Sequence, residues 1–116
     1  MLGADIKYIT KDTKLSIMEM KWGIIPDMSG TQLMRHSVRD DIIRELTYTN
    51  RIFLGTDAVE YGFATHISDA PLEDAMKLAE EIAGKSPSAI VKAKKVLNAA
   101  PYLSIEEGLL LSLIHI

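Results

Sequence analysis

Glu19-Met20-Lys21-Trp22-Gly23-Ile24-Ile25-Pro26-Asp27-Met28-Ser29-Gly30-Thr31-Gln32 constrains this chain more than any other stretch. Gly23, Pro26 and Gly30 punctuate its apolar run too often for a helix or a strand to pass through unbroken. The segment therefore reads as a strand, an irregular loop, and the N-terminus of a helix that begins at Thr31. Glu19 and Asp27 lie eight residues apart within it. A carboxylate held there against apolar walls would have its pKa raised toward the range useful for proton transfer. The same residues also read as a solvated strand end and a helix cap.

With 116 residues, the chain makes one domain or part of one. A hydrophobic content of 47% provides for a core, though at this length a small one. The net charge of -3 argues against a nucleic-acid partner, which calls for a basic face. No apolar run reaches the length that spans a bilayer, and the start lacks the basic and apolar regions of a secretory signal. A cytoplasmic protein is the resulting expectation. The absence of cysteine excludes disulfides and thiolate chemistry. His36, His66 and His115 are scattered, without the spacing of metal ligands.

Residues 6–10 alternate like a half-buried strand, and residues 15–17 suggest a second. Ser29 is positioned to cap a short helix over 31–36. Ser37-Val38-Arg39-Asp40 has the form of a capping box for a helix through Tyr48, with Ile42, Ile43, Leu46 and Thr47 inward. Residues 51–54 and 63–67 read as extended, and Thr56 as the cap of a short helix closed by Gly62. Pro71 suits the first position of a helix whose apolar stripe is Leu72, Met76, Ala79, Ile82 and Ala83. Ser86-Pro87 opens another helix, with Ile90, Ala93 and Leu97 on one face. Lys92, Lys94 and Lys95 on its other side form a solvated face or a phosphate contact. Pro101 ends it, and Ser104-Ile105-Glu106-Glu107 is a capping box for a last helix. Residues 111–116 admit two readings: an ordinary apolar helix end, or a translated sequencing-library adaptor. The second is preferred, and it sets these residues aside from fold reasoning. The abrupt opening on a strand adds the expectation that the chain is a piece of a longer one.

Four segments together resemble the crotonase superfamily, or enoyl-CoA hydratase/isomerase family. Gly3-Ala4-Asp5-Ile6-Lys7-Tyr8-Ile9 resembles its Ala-Asp-Ile-Arg strand. Residues 19–32 resemble its Glu-x-x-x-Gly-x-x-Pro-Gly-x-Gly-Gly-Thr-Gln signature. Glu45-Leu46-Thr47-Tyr48-Thr49-Asn50-Arg51, followed by residues 57–62, resembles a Leu-Leu-x-Thr-Gly-Arg block with its Glu-Ala-x-x-x-Gly sequel. Residues 79–97 resemble its Ser-Pro-x-Ala helix pair. The resemblance implies an α/β fold: the C-terminal part of a crotonase-like ββα spiral over 1–70, then a helical trimerisation region over 71–110. It also implies an acyl-CoA substrate, with coenzyme A entering as part of that substrate and no separate cofactor or metal. The full-length parent would be a homotrimer or a dimer of trimers, with no nucleic-acid or membrane partner. Glu19 would be the catalytic acid, with Trp22, Pro26 and Gly30 lining the substrate site. The backbone N–H donors for the thioester oxygen would lie upstream, leaving this piece alone inactive.

One departure from the pattern bears on the reaction. Where hydratases have Pro-Gly-x-Gly-Gly, this chain has Pro26-Asp27-Met28-Ser29-Gly30. A carboxylate at Asp27 resembles the acid pair of Δ3,5-Δ2,4-dienoyl-CoA isomerases. Three readings stay open: hydration of a 2-enoyl-CoA as in fatty-acid β-oxidation, dienoyl isomerisation by Glu19 and Asp27, and an oligomerisation module without chemistry.

Overall fold

The computed structural model describes residues 1–26 and 29–114. It divides into two compact units, residues 1–75 and 76–116.

The first unit is mixed α/β. Its order is β1 (Tyr8–Ile9), β2 (Lys14–Leu15), a 3-10 turn (Glu19–Trp22), α1 (Gly30–Met34), α2 (Asp40–Thr49), β3 (Phe53–Leu54), α3 (Gly55–Tyr61), β4 (His66–Ile67) and the start of α4 (Pro71–Ala83). β1 runs parallel to β4, with Tyr8 opposite His66 and Ile9 opposite Ile67. β2 runs antiparallel to β3, with Lys14 opposite Leu54 and Leu15 opposite Phe53. Both ladders are only two residues deep. The parallel one is extended by Thr65 N–H donating to the Lys7 carbonyl, Lys7 N–H donating to Thr65 Oγ1, and Ser68 N–H donating to the Ile9 carbonyl.

The core joins Ile9, Ile17, Met34, Val38, Leu46, Phe53, Ala58, Phe63 and Ala64. Leu46 is 0% exposed, and Ile42 and Ile43 pack beside it, so the inward face expected of α2 is the face it uses. Burying such a leucine is worth about 2 kcal/mol. Asp40 and Asp41 begin α2, where the positive end of the helix dipole favours them.

The helix starts differ from the sequence expectations. Ser29 does precede α1, but at φ 64 it makes no side-chain cap; a capping side chain needs an extended backbone to reach the next amides. The capping box expected at Ser37 does not form. Ser37 N–H and Val38 N–H both donate to the Met34 carbonyl, tying this segment to the preceding turn, and α2 starts two residues later at Asp40 behind an extended Arg39. Thr56 lies inside α3 rather than before it, and the Asp57 carboxylate accepts from Leu54 N–H at 3.0 Å. The strand expected over 63–67 shrinks to His66–Ile67. At α4, Pro71 holds the first position as expected, and Ser68 supplies a start signal the pattern did not reveal. The buried Ser68 hydroxyl accepts from Ala70 N–H and donates to Asp74. The expected stripe of α4 is not buried: Leu72 is 76% exposed.

The second unit holds the rest of α4, then α5 (Pro87–Ala99), a 3-10 turn (Ala100–Tyr102) and α6 (Ile105–Ile114). Ser86 Oγ accepts from Ala89 N–H, and Pro101 falls in the turn that stops α5. The box at Ser104 is complete: Ser104 N–H donates to Glu107 Oε2 at 2.9 Å and Glu107 N–H donates to Ser104 Oγ at 3.2 Å. α5 packs on α6, yet neither helix buries a residue; Leu97 is 71% exposed and Ile105 87%. α6 continues through residues 111–114.

Two expectations follow for stability. Gly62 sits at φ +94, and a Cβ there would lie 2.0 Å from the Ser37 carbonyl oxygen. Gly62→Ala should cost about 1–3 kcal/mol or more, read as a lower urea midpoint. The bonds from Ser104 hold the Glu107 carboxyl below its ordinary value of 4.5. Its folded-state pKa is depressed, so its contribution is full above the ordinary range and is lost as pH falls through the lowered value. Acidification should therefore fray the start of α6, seen as faster exchange of the Glu107 amide. In Glu107→Gln that pH dependence should vanish.

Candidate active-site cleft

The 3-10 turn at Glu19 replaces the strand expected there. Lys21 N–H donates to the Met18 carbonyl and Gly23 N–H to the Met20 carbonyl, at 3.0 and 3.1 Å. Gly23 closes the turn at φ 70, a left-handed conformation that glycine adopts without penalty. Ile24 N–H then donates to the Glu19 carbonyl. The tight turn places the Glu19 side chain back toward the core.

A cleft of about 180 Å³ opens beside it. Glu19, Pro26 and Gly30 all contribute to its wall, and Leu15, Ile17, Met34, Phe53 and Phe63 are among its apolar members. Three of the sequence-expected site residues thus meet around one cavity. Trp22 does not join them: it is 74% exposed, with the Lys21 ammonium 5.6 Å from its ring centroid. Trp22 is the last residue of the turn, directly before the left-handed Gly23 where the chain changes direction. Asp27 lies outside the described residues.

Glu19 is half-buried. The ion pairs found among the described residues, Arg39–Asp41, Arg44–Asp40 and Arg51–Glu45, leave its carboxylate out. Glu19 therefore stands at the edge of an apolar cleft, outside those ion pairs. His66 does other work, stacking on Tyr8 at 4.9 Å between ring centroids. Lys92, Lys94 and Lys95 are exposed on α5.

Sequence reasoning did not anticipate Ser16, Phe53 and Phe63 as parts of the cleft wall. They come from segments far apart in the chain, so no local spacing signals their convergence. Among the described residues no cluster of His, Cys, Asp or Glu could hold a metal ion, and no helix is long and apolar enough to cross a membrane.

The chain is 30% identical over 109 residues to a carnitinyl-CoA dehydratase of Proteus mirabilis, covering 92% of this chain and 42% of that protein. It is 33% identical over 108 residues to the peroxisomal Δ(3,5)-Δ(2,4)-dienoyl-CoA isomerase of Arabidopsis thaliana, covering 90% of this chain and 39% of that one. The chain thus spans less than half the length of these curated relatives. Its fold superposes on an enoyl-CoA hydratase from Bacillus anthracis with a TM-score of 0.92 at 27% identity, over 98% of this chain and 45% of that one. This is the crotonase fold. The sequence model of the enoyl-CoA hydratase/isomerase family matches residues 1–110. On that match, the chain belongs to the enoyl-CoA hydratase/isomerase family.

Proposed function

We propose that this chain is the C-terminal part of an enzyme acting on an acyl-CoA thioester, with Glu19 as its proton-transferring acid or base. The observation that carries the reading is the half-buried Glu19 carboxylate on the wall of an apolar cleft shared with Pro26 and Gly30. At about 180 Å³ the cleft suits the reacting end of an acyl chain rather than a whole nucleotide-bearing substrate. In hydration, water adds its oxygen to C3 of a 2-enoyl thioester and a proton reaches C2. Glu19 activates the water or delivers the proton, while N–H donors from outside this segment stabilise the enolate oxygen.

A second reading has its own support. The dienoyl-CoA isomerase relative is 33% identical to this chain. Moving a double bond requires a proton removed at one carbon and another delivered elsewhere, which two carboxylates can do. Asp27 is the second carboxylate in this reading. Exposed Leu97, Ile105 and Leu113 support a further part of the proposal, that the helical region serves trimer assembly, since large exposed apolar side chains suit a subunit interface. If that is the region's sole role, the segment is an oligomerisation module without chemistry of its own.

In the full-length protein, Glu19→Gln should lower turnover of acyl-CoA substrates by about 10²- to 10⁴-fold, assayed with 2-enoyl- and dienoyl-CoA. Undiminished turnover on both substrates would remove Glu19 from the chemistry. Asp27→Asn should abolish dienoyl isomerisation while sparing hydration if the two-acid reading holds. Normal isomerisation by that variant would refute it.

A further inference from the structure

We infer that Asn50 is a positioning residue for Glu19, a deepening of the acid–base role proposed above. Asn50 ends α2 in the left-handed conformation, φ 52, with its N–H donating to the Leu46 carbonyl. Glycine would serve that backbone without a side chain. Asparagine also tolerates it, and here its side chain reaches across the fold. Asn50 Nδ2 donates to the Ile17 carbonyl at 2.8 Å and to the Thr47 carbonyl at 3.2 Å. Ser16 Oγ donates back to the Asn50 carbonyl at 2.9 Å.

These bonds join positions 33 and 34 residues apart in sequence. They fasten the C-terminal end of α2 to the backbone that runs directly into the 3-10 turn. Ser16, Ile17 and Glu19 line the same cleft, and α2 packs against the turn itself. The carboxamide satisfies two carbonyls at once, which a hydroxyl or carboxylate cannot do. Its distinct contribution is to fix where the cleft wall leaves α2, and so where the Glu19 carboxylate points. A misplacement on the scale of one ångström is enough to slow proton transfer about a hundredfold.

The test uses Asn50→Gly, which keeps the left-handed backbone and removes only the carboxamide, and Asn50→Asp, which keeps the shape and removes the donor. In the full-length protein both should lower kcat by roughly ten- to a hundredfold with KM within about twofold. Both should also speed exchange of the Lys21 and Gly23 amides by about tenfold, because the turn they close has lost its anchor. Glu19→Gln is run alongside. If it abolishes turnover while Asn50→Gly keeps the parental kcat, the positioning role is overturned and the role of Glu19 stands. If Glu19→Gln leaves turnover intact, the function proposed for Glu19 falls, and amide exchange alone decides: faster exchange in Asn50→Gly supports the anchor, unchanged exchange overturns it.

Discussion

Everything in the first unit rests on the burial of a few side chains around Leu46, because its ladders cannot hold it. Two-residue strands make too few backbone bonds to define a sheet by themselves. Leu46 from α2, Phe53 from β3, Ala58 from α3 and Phe63 from the following turn close over Ile9 and Ile17. Phe53 and Phe63 meet with ring centroids 5.0 Å apart in a tilted arrangement that aromatic pairs favour. The same two rings form part of the cleft wall beside Glu19. Core and candidate site are therefore built from one set of residues, and loosening one loosens the other.

The parts of this fold legible in the sequence are those set by short-range physics. The box at Ser104, the proline at the start of α4, the stop at Pro101 and the left-handed Gly62 each depend on neighbours within a few residues. The inward face of α2 followed from helical periodicity, and its most buried member is Leu46, as that periodicity requires. Expectations broke down where one local signal overrode another. Ser37 carries the residues of a capping box, but the carbonyl of Met34 claims its amide. The loop at Glu19 was expected to enter as a strand, yet Gly23 folds it into a 3-10 turn.

The candidate site divides in the same way. Glu19, Pro26 and Gly30 could be named from one contiguous stretch, and they do share a cleft. Trp22 could not be placed, because a strand was expected where the chain forms a 3-10 turn, and at the end of that turn the ring is exposed. The aromatic wall was hidden, since Phe53 and Phe63 belong to segments whose only local mark is an extended pattern. Asn50 was hidden for another reason: its side-chain bond to Ile17 exists only once α2 has docked.

The parallel pairing of β1 with β4 has a kinetic meaning. Among the described residues Tyr8 finds its strand partner in His66, 58 residues further along. During synthesis Tyr8 emerges long before His66, and the intervening helices can form before that pairing is possible. Closing so long a loop is entropically costly until the core has gathered its ends. The β1–β4 pairing would thus be among the last contacts of the first unit to form.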